Sequence, residues 1–323
     1  MNRLLLLPAL AAAVLVVLFG GAAHGAKATF AGPNGRIAFI DYSSGDTGNV
    51  FTMDASGSNV RQVTSLTSDQ GSAADPAWSP DGTKIVFTVF GQTGRLYLVN
   101  PDGSNMHLLF NEDPNYNDAA ANFSPDGSRV IFRRCNFTKY EACAIYTVKI
   151  NGNGLNAITK FKVNTTDDNF DVKPEYSPDG NTISFSSFNR GGVQNGIYLM
   201  GAHGNGIHLV TPTGLGAVNA DWSPNGSKIV FWTHCCDPQE EAIATMNPDG
   251  TGITQLTHPG SDHDLNPSYS PHGDMIVFEH VSADFSTSTI ETMSAAGGAA
   301  TPIHVDATLI GGFSQPSWGP AGS

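Results

Sequence analysis

Basic residues are scarce in this chain: 16 Lys and Arg stand against 29 Asp and Glu in 323 residues, a formal net charge of -13. That balance argues against a nucleic-acid partner, because phosphate-backbone binding depends on clustered Lys and Arg. It leaves cations or basic protein surfaces as the charge-matched ligands. Long apolar runs are limited to one, Leu4 to Phe19, so no later segment has the length and apolarity to cross a bilayer as a helix. The Gly-x-Ser-x-Gly elbow of hydrolases and the His-Glu-x-x-His of zinc peptidases are both missing. No cysteine lies in the N-terminal region, which excludes an N-terminal lipid-modified Cys.

Arg3 precedes the apolar run, and the small residues from Gly20 to Ala28 follow it with cleavage sites after Gly25 or Ala28. Residues 1–28 therefore read as a secretory signal peptide, with an uncleaved N-terminal anchor as the alternative and the only membrane contact. The expected location is secreted or periplasmic. Four cysteines suit such an oxidising compartment. Cys135 and Cys143 bracket one loop, Cys235 and Cys236 are adjacent, and three disulfide pairings as well as metal-bound thiols are open.

What the chain has in abundance is Gly (36) and Pro (19), and these are periodic. Trp78-Ser79-Pro80-Asp81-Gly82 returns as Phe123-Ser124-Pro125-Asp126-Gly127, Tyr176-Ser177-Pro178-Asp179-Gly180, Trp222-Ser223-Pro224-Asn225-Gly226 and Tyr269-Ser270-Pro271-His272-Gly273. A degenerate Trp318-Gly319-Pro320 ends the chain and Gly32-Pro33-Asn34-Gly35 opens it; the prolines are spaced by 47, 45, 53, 46, 47 and 49 residues. A period near this length belongs to propeller blades. The expected fold is all-β: a six-bladed β-propeller over residues 29–323, with four-stranded antiparallel blades. Ser-Pro-Asp-Gly is turn chemistry joining strand A to strand B, with Gly at the left-handed position. In the second repeat, strands A to D are expected at Pro76–Ser79, Lys84–Val89, Arg95–Asn100 and Met106–Phe110. The N-terminal segment offers strands B, C and D only, so the first blade borrows strand A from Gln315–Trp318. The aromatic before each turn and the Ile-x-Phe pattern of strand B are packing positions.

These repeats resemble those of the TolB-type, WD40-like propeller family: the pattern is carried by Trp78 to Phe87, Leu96-Tyr97-Leu98, Pro101-Asp102-Gly103 and Leu256-Thr257. The resemblance implies a non-catalytic binding or scaffold propeller, monomeric and extracytoplasmic, with a protein or cell-envelope glycan as partner. Related repeats in sugar-acid lyases imply the alternative, a metal-dependent lyase or hydrolase acting on a sugar acid or glycan. The first blade follows the signal segment directly, whereas TolB itself carries an α/β domain ahead of its propeller.

The A-to-B turns repeat while the B-to-C loops vary, so binding residues are expected on the B-to-C side. Asp118, Asp171 and Asp264 lie six positions before the motif serine; Asp75, Asn219 and Asn266 lie four before it. All enter strand A at the channel mouth. Such a ring of oxygens suits Ca2+, the alternative being local capping of loop backbone. His234, His258, His263 and His280 share the loop side of the last two repeats with Asp237, Asp262, Asp264, Glu279 and the two adjacent cysteines, a set suited to Zn2+ or Mn2+. Arg133 and Arg134 suggest a small anion patch, the alternative being a solvated loop.

Overall fold

A chain of short alternating runs broken by Gly and Pro turns can bury its apolar residues only by pairing each run with its neighbour. In the computed structural model, residues 31–42, 47–111, 113–136, 142–161, 170–235, 240–306 and 315–322 are described; the signal segment 1–28 and Cys236 lie outside them. Twenty-four strands and no α-helix occur among the described residues. The first three are β1 (Asn34–Asp41), β2 (Asn49–Met53) and β3 (Arg61–Gln62). Then follow β4 (Ser72–Trp78), β5 (Ile85–Phe90), β6 (Gly94–Val99), β7 (His107–Leu108), β8 (Tyr116–Phe123), β9 (Arg129–Asn136), β10 (Cys143–Lys149) and β11 (Asn156–Ala157). Next come β12 (Phe170–Tyr176), β13 (Thr182–Arg190), β14 (Val193–Gly201), β15 (His208–Leu209), β16 (Ala217–Trp222), β17 (Ile229–Cys235), β18 (Glu240–Met246) and β19 (Thr254–Gln255). The last are β20 (His263–Tyr269), β21 (Met275–Val281), β22 (Ser288–Ser294), β23 (Thr301–Asp306) and β24 (Ser317–Pro320).

They form two four-stranded sheets, β24-β1-β2-β3 and β4-β5-β6-β7, and two eight-stranded sheets. Each large sheet consists of two antiparallel meanders joined through a single parallel pair: Cys143 with Phe170 links β10 to β12, and Glu241 with His263 links β18 to β20. Trp318 of β24 lies opposite Ile37 and Ser317 opposite Ala38, so the last described strand pairs with the first. Most outer strands are only two residues long, which leaves little open edge for another chain to pair with.

The strand-B pattern is borne out. Phe39, Phe87, Phe132, Phe185, Phe231 and Phe278 are all buried, as are the motif aromatics Trp78, Phe123, Tyr176, Trp222, Tyr269 and Trp318. These side chains belong to clusters that span neighbouring meanders: Trp78, Phe87 and Ile85 pack with Ile40 and Val50, while Trp318 packs with Phe39, Val277 and Ile290. Burying each contributes roughly 1.5–3 kcal/mol.

The repeated turns hold themselves together. Ser79 Oγ donates to Asp81 Oδ1 at 2.6 Å and accepts from the Lys84 amide at 2.9 Å, while the Gly82 amide donates to the Ser79 carbonyl at 2.9 Å. Where His272 replaces the turn carboxylate, Asp274 supplies it instead, accepting from Ser270 Oγ at 3.0 Å. Each turn glycine faces the proline of the preceding turn: Gly127 on Pro80, Gly180 on Pro125, Gly226 on Pro178 and Gly273 on Pro224.

The inner strands correct one expectation. Strand A of the second repeat runs from Ser72 to Trp78, starting four residues earlier than the motif indicates. Pairing continues beyond a bulge, between Ala74 and Ala77, that absorbs Pro76. Proline cannot donate to a ladder, so the strand steps around it and resumes.

Candidate functional site

The same bulge recurs on β8, β12, β16 and β20. The first bulge residue takes a left-handed backbone each time: Asp75 (φ 49°), Ala120 (53°), Lys173 (48°), Asn219 (53°) and Asn266 (52°), with Gln315 (45°) in the matching place before β24. These six positions lead into a cavity of about 100 Å3 enclosed by the inner strands. Asp and Asn tolerate this backbone better than most residues, which gives the polar ring seen in the sequence a conformational cause.

The ring is filled by its own members. Lys173 is ion-paired with Asp75, 98 residues away in the chain. The Asp75 amide donates to Gln315 Oε1 at 2.7 Å, and Asn219 Nδ2 donates to Asn266 Oδ1 at 2.8 Å. Asn266 Nδ2 in turn donates to Glu279 Oε2 at 3.2 Å. The cation at Asp75 is thus an ammonium of the protein itself.

One layer along the cavity lie Glu175 and Asp221, from neighbouring inner strands and both buried. Burial is the main force raising the Glu175 carboxyl well above its ordinary range, and the Asp221 charge adds to it. Burial likewise pushes Asp221 up to about 6, opposed by hydrogen bonds from Glu175, Ser268 and the Tyr269 amide, the last at 2.7 Å. Two carboxyl groups can share a hydrogen bond only if one keeps a proton, and Glu175, which burial and the Asp221 charge both push up, is the one that holds it. The folded state therefore holds more protons than the unfolded chain above the ordinary carboxyl pKa of about 4. The stability of this pair is complete below that value and is lost as pH rises, Asp221 ionising at about 6 and Glu175, raised further, above it. Glu175→Gln, which mimics the protonated form, is expected to melt above wild type at pH 7.5 by on the order of 1–3 kcal/mol, with the difference shrinking toward pH 4.5. A pH-independent difference in thermal melts would refute the shared proton.

The Asp residues two positions before the ring are not in the cavity wall. Asp118 accepts from Arg134 Nε at 2.7 Å and Nη2 at 2.5 Å across β8 and β9. Asp171 accepts from Arg190 at 2.6 Å and from Ser187 Oγ at 2.7 Å. Asp264 meets His280 Nδ1 at 2.7 Å. Each is buried and faces strand B of its own sheet. Burial raises Asp118 and Asp171, with the Arg partner opposing it in each case. So Asp75, Asn219 and Asn266 line the cavity, while Asp118, Asp171 and Asp264 do not join them.

The histidines divide likewise. His280 lies opposite Asp264 and His263 opposite Val281, so the two rings leave opposite faces of the sheet. His280 Nε2 is 3.5 Å from Asp262 Oδ2, and its pKa is raised chiefly by the hydrogen bond with Asp264. His263 Nδ1 is 3.0 Å from Glu241 Oε2. His258 is exposed, its Nδ1 3.1 Å from Gln255 Nε2. The side chains of His234 and Cys235, with all of Cys236 and Asp237, lie outside the described residues. Among the described residues no three His, Cys, Asp or Glu side chains converge as metal ligands. Of the open cysteine pairings, the structure contains Cys135–Cys143, across adjacent strands.

Sequence reasoning missed Lys173, Glu175 and Asp221. A usable signal existed: two before the motif serine, the residues are Ala77, Asn122, Glu175, Asp221 and Ser268, and adjacent carboxylates stand out in that column. The ion pairs also had one, since Asp118 to Arg134 and Asp264 to His280 are both separated by sixteen residues.

Comparison with known proteins agrees with this geometry. The chain is similar to TolB from Acinetobacter baumannii (TM-score 0.72, 23% identity, 88% of this chain and 67% of that one). It is similar to a putative TolB from Agrobacterium tumefaciens (TM-score 0.63, 19% identity, 89% of this chain and 99% of that one), and more distantly to an oligogalacturonate lyase in complex with manganese (TM-score 0.58, 14% identity, 85% of this chain and 76% of that one). At these identities the likeness is one of fold. By sequence, an uncharacterized protein of Agrobacterium fabrum matches at 26% identity over 56% of this chain, and a TolB homolog of Chlorobium luteolum at 33% over 32%. The chain spans 60% and 23% of the lengths of those two relatives. The model of the TolB beta propeller domain matches residues 23–322, and the chain belongs to that family.

Proposed function

We propose that the protein is an extracytoplasmic, non-catalytic binding propeller of six blades, closed by β24 on β1, whose B-to-C loop face docks a protein or cell-envelope partner. Cutting each large sheet at its single parallel pair leaves four-stranded meanders of one pattern, which supports the count. The observation that carries the binding reading is the state of the cavity. At about 100 Å3 it is well below the roughly 300 Å3 at which small-molecule sites begin, and its polar residues are spent on one another. On the A-to-B face the turns satisfy their own hydrogen bonds and enclose a groove of about 980 Å3 between the turns at Ser124 and Ser177, lined by Pro125, Asp126, Tyr176, Pro178 and His203, whereas the B-to-C loops are the surface that differs from repeat to repeat.

A metal-dependent lyase or hydrolase acting on a sugar acid is the competing reading, supported by the likeness to the manganese-bound lyase. One experiment separates them. Purified protein is analysed for metal and then used to capture partners from envelope extract. The binding reading expects no stoichiometric metal, and one captured species that is lost with substitutions in the B-to-C loops but retained with substitutions in the A-to-B turns. Stoichiometric metal that disappears in His263→Ala or His280→Ala would overturn it.

A further inference from the structure

The loop between β21 and β22 repeats, at the opposite end of its strands, the turn used between strands A and B. In Ser282-Ala283-Asp284-Phe285-Ser286-Thr287 the Ser282 amide donates to the Thr287 carbonyl at 3.1 Å, as Ser79 does to Lys84 at 2.9 Å. The Phe285 amide donates to Ser282 O at 2.8 Å, as Gly82 does to Ser79 O at 2.9 Å. Ser282 Oγ donates to Asp284 Oδ1 at 2.7 Å and accepts from the Thr287 amide at 3.1 Å, matching Ser79 with Asp81 and Lys84. The slot held by Gly82, Gly127, Gly180, Gly226 and Gly273, at φ between 68° and 81°, is here filled by Phe285 at φ 54°. A bulky residue there is strained, and the chain uses glycine five times where only a turn is needed.

The strained residue is also the most exposed large apolar side chain among the described residues, at 51%. One face of its ring is stacked on His263, with centroids 4.6 Å apart and planes 21° apart. Carboxylates surround the stack: Glu241 Oε2 lies 3.0 Å from His263 Nδ1, Asp262 Oδ1 accepts from the Ala283 amide at 3.0 Å, and Asp284 is the preceding residue. The wider charge is of one sign, because residues 229–323 contain eleven Asp and Glu and no Lys or Arg.

We propose that Phe285, backed by His263 and flanked by Glu241, Asp262 and Asp284, is a receptor for an arginine or lysine side chain of a protein partner docking on the loop face. This deepens the binding reading and rests on it. An aromatic face attracts a cation through its quadrupole, and nearby carboxylates add a charge term that an apolar ligand cannot use. Backbone strain is then retained because glycine, which relaxes the turn, deletes the ring.

The test uses the full-length protein and a fluorescein-labelled, end-blocked peptide of alternating Gly and Arg, with a citrulline version as the neutral isostere. The arginine peptide is expected to bind saturably and the citrulline peptide about tenfold more weakly, with added salt weakening the former. Phe285→Gly should reduce arginine-peptide binding by about tenfold while melting at or above wild type, since it restores the common turn. Equal binding of the two peptides, or unchanged affinity in Phe285→Gly, overturns the receptor. The two readings fail separately: envelope capture that is equal for wild type and Phe285→Gly removes the receptor and leaves the binding propeller. Peptide binding that depends on Phe285, without any envelope capture, leaves the receptor and removes the proposed partner class.

Discussion

A chain ending after residue 314 is expected not to fold as a stable monomer. The lost segment contains β24, whose Trp318 is buried among Phe39, Val277 and Ile290 and donates its Nε1 proton to the Gly35 carbonyl at 3.3 Å. It also contains Gln315, which accepts the Asp75 amide proton. Trp318→Ala alone should cost about 3–5 kcal/mol through the cavity it leaves. Removing the whole strand adds the unpaired backbone of β1 and an open edge, a loss comparable to the roughly 5–15 kcal/mol that holds most domains together. Near-UV circular dichroism and size-exclusion chromatography check this. A truncated protein that elutes as a monomer with an unchanged melting temperature would show that the terminal pairing is dispensable.

Arg134→Met is the second large effect. The Arg134 guanidinium is buried, binds Asp118 with two nitrogens, and lies over the rings of Tyr116 (4.8 Å), Tyr146 (5.2 Å), Phe110 (5.5 Å) and Phe132 (5.7 Å). Methionine retains much of the length and apolar contact but leaves the fully buried Asp118 without its counter-charge. Breaking a buried pair from one side costs about 3–5 kcal/mol. The double substitution Asp118→Asn with Arg134→Met should recover part of that loss, because the orphaned charge is then gone. Denaturant unfolding measures both. A single-mutant loss below about 1 kcal/mol would mean that water already screens the pair.

The two arginines of the sequence motif thus have different surroundings. Arg134 is enclosed by its aromatic box and Asp118, whereas Arg133 stacks on Phe170 at 5.7 Å and its Nε is buried with no hydrogen-bond partner. Adjacent residues on a strand point to opposite faces, so a pair that reads as one basic patch is split by the pleat. The same rule separated His263 from His280. In both cases a grouping read from the sequence is divided by the pleat: His263 and His280, two of the histidines that suggested a transition metal, leave opposite faces of their sheet.

The fold was legible because its determinants are local. Ser79, Asp81, Gly82 and Lys84 close a turn within six residues; the alternation of Ile85 and Phe87 sets a strand face within three. Such interactions are specified wherever the residues occur, and repetition at a blade-length period multiplies the signal. The candidate site was legible only as a set of positions. That Asp75, Asn219 and Asn266 enter the cavity followed from their place before strand A, and it is what the structure shows. Which charge each one meets did not follow: Lys173 reaches Asp75 from 98 residues away, and Glu175 shares its proton with Asp221 from the next inner strand. Those partnerships exist only after the sheets pack around the cavity, since burial there decides both which groups touch and which stay ionised. Phe285 joins the two levels. Its turn is written in Ser282 and Asp284 by local hydrogen bonding, but its stack on His263 and its acidic surroundings arise from neighbouring strands brought together by tertiary structure.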